Sequence, residues 1–136
     1  MSGGYLLVRA EGRLYGLPLA SVREVEDLGE VMEVPRALVS LRGLAPLRGR
    51  LVPLVHLGAL LGDRSPPPER GRTAVVVELA GGRFIALEVD DADAVVRDSG
   101  LAVPDTEALP GASGVGRPHG DLVPILDIES LGERIA

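Results

Sequence analysis

The chain has 136 residues, no cysteine, no tryptophan and a formal net charge of −6. That length fits one domain with a buried core, and the absence of cysteine excludes both a disulfide framework and a thiolate metal site. Nine arginines stand against eight acids in residues 1–71, but five against twelve in residues 72–136, and an acidic half with few aromatic rings argues against a nucleic-acid partner.

From the start of the chain, no charged-then-apolar leader and no apolar run long enough for a membrane span is present. A cytoplasmic protein without direct membrane insertion is expected. Tyr5–Ala10 is a predicted strand, Glu11-Gly12 a turn, and Arg13–Leu19 the returning strand, with Pro18 marking an edge or the point where the chain leaves the sheet. Ala20–Val25 fits a helical turn, on which Val22 and Val25 face one way, or a short strand; periodicity does not separate the two. Gly43–Leu47 and Leu51–Val55 form a predicted hairpin around Arg48-Gly49-Arg50, and Leu57–Leu61 a single helical turn ended by Gly62. Ser65-Pro66-Pro67-Pro68 builds neither ladder nor helix interior and is an extended connector.

In the second half, Thr73–Leu79 is the clearest strand, Gly81-Gly82 a turn that tolerates positive φ at both positions, and Arg83–Val89 the return. Ala92–Arg97 is a further element, Leu101–Pro110 is irregular, and Leu122–Leu126 is a strand before a short terminal helix from Ile128. Short strands, Gly and Pro turns and no long amphipathic helix place the chain in the all-β class. An aliphatic core is expected from Leu6, Val8, Leu14, Leu17, Leu51, Leu54, Val75, Val77, Phe84, Leu87, Leu122 and Ile125.

The two halves repeat one another. Gly49–Leu60 (GRLVPLVHLGAL) returns as Gly120–Leu131 (GDLVPILDIESL) at an offset of 71, and Gly12–Val25 aligns with Gly82–Val95 at an offset of 70. A unit of that length in two copies is not a solenoid. It predicts a single domain over 1–136: a first repeat over about 5–62, a linker at 63–72 and a second repeat over about 73–133. One small barrel per repeat is the expected architecture, with exchange of strands between the subdomains left open.

Catalytic and metal chemistry find little support. Asp90, Asp91 and Asp93 lack the glycine turn and further oxygen ligands of a calcium loop, so a solvated acidic turn is expected. His56 and His119 are the only histidines, too few for a zinc site without cysteine. No nucleophile elbow or phosphate loop occurs, and Gly114-Val115-Gly116 lacks the third glycine and the helix of a dinucleotide motif. Arg48 is either an exposed turn arginine or a group pairing bidentately with a carboxylate at the seam between subdomains.

The run Gly43–Leu57, GLAPLRGRLVPLVHL, resembles the signature of the CheW adaptor family, approximately G-V-I-N-L-R-G-x-I-V-P-V-V-D-L. Tyr15–Val25 resembles that family's Y-G-I-x-I-x-x-V-x-E-I, and Leu122–Leu131 its closing L-I-L-x-D-I-E-K-L. Three positions depart from the pattern: Pro46 for a polar residue, His56 for Asp or Asn, and Glu88 for an apolar residue. The resemblance implies two SH3-like five-stranded β-barrel subdomains around a shared apolar interface. It also implies a non-catalytic adaptor without cofactor or metal. Its partners would be the chemoreceptor cytoplasmic tip and the regulatory domain of a CheA-type histidine kinase, at membrane receptor arrays, in a flagellar or a type IV pilus pathway. The partner-binding residues it implies are Arg48 with Gly43 and Gly49, Glu24 as the partner of Arg48, and Val22 and Val25 beside the receptor groove. From another class, a small-barrel nucleic-acid module remains the alternative.

Overall fold

In the computed structural model, which describes residues 3–35, 38–97, 101–102, 111–118 and 120–135, short aliphatic runs and glycine turns build an all-β body. The first repeat supplies β1 (Tyr5–Ala10), β2 (Arg13–Pro18), β3 (Val22–Asp27), β4 (Leu41–Leu47), β5 (Arg50–His56) and α1 (Leu57–Gly62). The second supplies β6 (Thr73–Glu78), β7 (Phe84–Val89), β8 (Asp91–Val96), the two-residue β9 (Leu101–Ala102), β10 (Ala112–Gly116), β11 (Val123–Leu126) and α2 (Ile128–Ile135). A single 3-10 turn, Ala80–Gly82, joins β6 to β7 through two glycines at positive φ. Of the segment Ala20–Val25, Ala20 and Ser21 belong to a turn and Val22–Val25 to strand β3. Residues 103–110 of the predicted irregular stretch and His119 lie outside the described residues.

The strands form two sheets, β8-β1-β2-β11-β10-β9 and β3-β6-β7-β5-β4. Without the short β9 these are two five-stranded subdomains of SH3-like type. Assigning one barrel to each repeat is corrected by this order. Hairpin β6–β7 of the second repeat completes the sheet of β3, β4 and β5, and hairpin β1–β2 of the first completes that of β8, β10 and β11. Repeated sequence still means repeated register. Leu54 pairs in parallel with Ala86, and Ile125 with Gly16. The bulge between Leu41 and Gly43 recurs between Ala112 and Gly114.

Exchange creates three layers of core. Ala45, Val52, Leu54, Ala74, Val76 and Ala86 fill the five-stranded barrel. Tyr5, Leu7, Val123 and Ile125 fill the other. Between the two, Leu6, Val8, Leu17, Val55, Val75, Val77, Leu87 and Leu126 form a central cluster drawn from both repeats. Strands β1, β6 and β7 are thus buried on both faces, which is why their sequences are continuously apolar. Of the expected core, Leu14 and Phe84 are half-buried, while Leu51 and Leu122 are exposed at 52% and 62%. This corrects their placement: once Val52 and Leu54 point inward, strand alternation turns Leu51 out, and the repeat does the same to Leu122.

A charged cluster holds the linker to this core. Glu88 in β7 is fully buried, and Arg42 in β4 meets it with Nε at 2.9 Å and Nη2 at 3.0 Å. Arg42 also donates to the carbonyls of Pro67 at 2.7 Å and Glu69 at 3.0 Å, and Gly71 N–H donates to Glu88 at 2.6 Å. A buried, forked pair of this kind is a poor source of net stability but costly to break, at about 3–5 kcal/mol. Arg42→Ala is therefore expected to destabilise the fold by that amount in urea denaturation. A loss under 1 kcal/mol would mean that water already screens the Glu88 charge.

Each helix is capped at its repeat-equivalent position. Asp127 Oδ1 accepts from Glu129 N at 3.1 Å, and His56 Nδ1 accepts from Ala59 N at 3.0 Å. To accept at Nδ1 the imidazole must be neutral, with its proton on Nε2. Burial lowers its pKa; Glu88 and Asp90 push the other way and Arg42 adds to the lowering. The folded state thus binds fewer protons here than the unfolded chain. Stability is full above the unfolded value of ~6.5 and falls as pH drops below it. His56→Asn, which keeps a neutral capping oxygen, is expected to flatten this acid limb between about pH 6.5 and 5 in denaturation curves. Parallel curves for variant and wild type would refute it.

Candidate functional site

Arg48 and Gly49 are the two central residues of the β4–β5 hairpin, with φ of 49° and 80°. Two consecutive left-handed residues make the tight turn whose twist matches the flanking strands, a geometry that favours Asn or Gly at its first position. Arginine there carries backbone strain of about 1 kcal/mol. The residue is kept in spite of its backbone, so its side chain is where a role must be sought.

That side chain is 69% exposed and reaches the edge strand β3. Its Nε–H donates to Glu26, and Glu24 Oε2 lies 2.8 Å from the same nitrogen as an ion-pair contact. Glu24 also accepts from Arg50 Nη2 at 3.1 Å, while the Arg50 guanidinium stacks 4.3 Å above the Phe84 ring. Strand spacing explains the set: Glu24 and Glu26, two residues apart, share one face of β3, as their matching half-burial shows. Arg48 in the turn and Arg50 at the start of β5 face them. The hydrogen bond from Arg48, with the Glu24 contact, holds Glu26 below the usual carboxylate range. Exposed pairs of this sort contribute only ~0–1 kcal/mol, so their effect is to orient the guanidinium. Among the described residues its Nη groups have no hydrogen-bond acceptor.

The pairing expected between Arg48 and Glu24 is present, with its location and form corrected. It is not bidentate, and it lies within the five-stranded barrel, tying β3 to the β4–β5 turn, rather than at the seam between barrels. Glu26 and Arg50 belong to the cluster and were missed; the i, i+2 spacing of two acids facing two arginines is the signal that finds them. Val22 and Val25 face the same way, not on a helical turn but through a bulge between Val22 and Glu24 that sets them opposite Val77 and Val75. Val22 is half-buried against the central core, and Val25 is 47% exposed. Gly43 has a packing duty, since a Cβ there would overlap the carbonyl of Met32, which bridges to Leu44. The expected acidic turn is corrected: only Asp90 lies in a bend, while Asp91 and Asp93 stand in β8. Asp90 accepts from Gly12 N at 3.4 Å and Asp93 pairs with Arg9 at 3.4 Å. The adjacent Asp93 carboxyl raises the pKa of Asp91.

The CheW-like domain family matches residues 4–136. The chain belongs to that family. Among solved structures, the scaffolding protein TtCheW from Thermoanaerobacter tengcongensis superimposes with a TM-score of 0.77 at 21% identity, covering 96% of this chain and 92% of that one. At that identity the likeness speaks for the fold. Protein PilI of Pseudomonas aeruginosa is 33% identical over 70 residues, which are 52% of this chain and 39% of PilI. The matched segment thus spans less than half the length of that relative. In this CheW-like domain the Leu-Arg-Gly turn is where family signature, left-handed backbone and an ion cluster coincide.

If strain at residue 48 is tolerated for the side chain alone, relieving it should cost no stability. Arg48→Gly is expected to leave the thermal midpoint unchanged or higher, because relief of the left-handed strain offsets the lost surface pair. A drop of several degrees would make the arginine a structural residue.

Proposed function

We propose that this CheW-like domain is a non-catalytic adaptor. It couples the cytoplasmic tip of chemoreceptors to the regulatory domain of a CheA-type histidine kinase in a chemosensory pathway. The observation that carries this reading is the Arg48 guanidinium, held out from a strained turn with donors to spare. In this reading Arg48 meets a partner carboxylate, Glu24 and Gly49 hold it in position, and Val25 adds exposed apolar area on the same edge strand. Gly43 shapes the strand behind the turn, and Val22 ties β3 to the central core. An arginine at the rim of an apolar patch is a common division of labour at protein interfaces. Among the described residues no helix is long and apolar enough to cross a membrane. Recruitment to receptor arrays from the cytoplasm would then come through the partners.

Between a flagellar and a type IV pilus pathway, the similarity to PilI favours the pilus system. Affinity purification of the tagged chain from its own cells would identify the kinase and decide this.

The site is tested by titrating wild type, Arg48→Asn and Asp91→Ala against a receptor-tip helix bundle and the kinase regulatory domain, with circular dichroism as the folding control. Asn suits the left-handed turn, so only the guanidinium is lost. Arg48→Asn is expected to weaken at least one complex about tenfold, or ~1.4 kcal/mol, and Asp91→Ala to leave both unchanged. Wild-type affinity of Arg48→Asn for both partners would reduce the turn to architecture.

A further inference from the structure

A cleft of about 490 Å³ lies where the chain enters β4 and passes beneath α1, with the end of α2 at its rim. Its lining includes Leu38, Val39, Leu60, Leu61, Ser40 and Arg134. The size is that of a site for one or two side chains or a small ligand. Three observations give it a chemistry. Val39 is 50% exposed although it sits in an apolar wall. Ser40 is 2% exposed, its backbone is pinned by accepting from His56 N at 3.1 Å, and its buried hydroxyl has no hydrogen-bond partner. A buried hydroxyl without a partner is uncommon in a native protein and calls for an explanation.

The third observation is charge. Arg134 reaches across from α2 to donate Nη1 to the Leu60 carbonyl at 3.2 Å, and among the described residues no carboxylate pairs with it. The other cation of the lining, Arg64, is committed to Glu11, and Asp63 is the left-handed cap of α1. One guanidinium with donors to spare thus stands at the lip of an aliphatic cleft, in a half of the chain with five arginines against twelve acids.

We propose that this cleft docks a protein segment presenting an aliphatic side chain next to a carboxylate. The aliphatic group packs against Leu38, Val39 and Leu61, and the carboxylate takes the spare N–H groups of Arg134. The Ser40 hydroxyl donates to that carboxylate or to a backbone carbonyl of the segment. A basic segment would bring like charge onto Arg134, and a purely apolar one would leave the hydroxyl and guanidinium unmatched. The site stands on α1 and α2 rather than on the Arg48 turn, and it does not depend on the adaptor reading.

The test uses the full chain with isotope-labelled Leu and Val methyl groups and two capped hexapeptides, Ac-ELEIEL-amide and Ac-KLKIKL-amide. The acidic peptide is expected to shift the methyls of Leu38, Val39, Leu60 and Leu61 saturably, and the basic one to leave them in place. Arg134→Glu should reverse the preference, weakening the acidic peptide about tenfold and admitting the basic one. Ser40→Ala should weaken the acidic peptide several-fold. Should Arg134→Glu disturb the circular dichroism, Arg134→Gln takes its place, with loss of the acidic peptide and no gain of the basic. The proposal is overturned if neither peptide moves these methyls or if both move them equally. Indifference of binding to Arg134 overturns it too, as would the same shifts on concentrating the protein alone, the mark of a second copy in the cleft.

Discussion

Two parallel pairings, Leu54 beside Ala86 and Ile125 beside Gly16, bear the exchange on which the rest of the molecule depends. Each sets a strand of one repeat against the hairpin of the other. Without them neither repeat buries its own apolar strands, because β1, β6 and β7 need cover on both faces. A parallel pairing also demands a long crossover. Here the path from β5 to β7 runs through α1, the linker and β6, and its closure entropy opposes the pairing. Arg42 and Glu88 act on that path, fixing the linker at Pro67, Glu69 and Gly71. The buried charge pair thus sits where ordering the chain most helps the sheet to close.

Register is common to both repeats; charge is not. At the same offsets, Arg42 corresponds to Ser113, His56 to Asp127 and Glu88 to Pro18. Glu24 and Glu26 correspond to Ala94 and Val96. Both ion clusters therefore belong to the five-stranded barrel alone. Duplication repeats the hydrogen-bond ladder, which any apolar alternation of the right length satisfies. The chemistry that distinguishes one barrel from the other lies in the side chains that diverged.

The same distinction explains what was legible beforehand. Turn glycines and β-branched runs mark strands locally, so the hairpins, both helices and the paired repeats could be placed from residues alone. Strand exchange could not, because β6 has the same alternation whether it lies beside β3 or β8; only long-range packing chooses. Leu51 and Leu122 failed for a related reason. The run LVPLV is apolar at every position, so pattern alone does not say which residues face inward. β10 is faint in the sequence because Ala, Ser and Gly carry little strand signal, although the 71-residue offset from Leu41–Ala45 marks it. Arg48 and Glu24 were identified through the family resemblance, and the geometry adds Glu26 and Arg50 by strand spacing.

The departures at positions 56 and 88 look unrelated in sequence, being 32 residues apart, yet they are register partners across the parallel pairing of β5 and β7. An acid at 88 is fully buried and requires Arg42 to neutralise it. With that carboxylate in place, an aspartate capping α1 from position 56 would set a second buried negative charge beside the first, and one of the two would have to take up a proton. A neutral histidine removes the conflict while keeping an acceptor for Ala59 N–H. The opposite repeat confirms the logic from the other side. Asp127 caps α2 through Oδ1, and the position equivalent to 88 is Pro18, which carries no charge. The two departures are physically compatible: the buried acid fastens the linker, and the neighbouring cap is one that needs no charge.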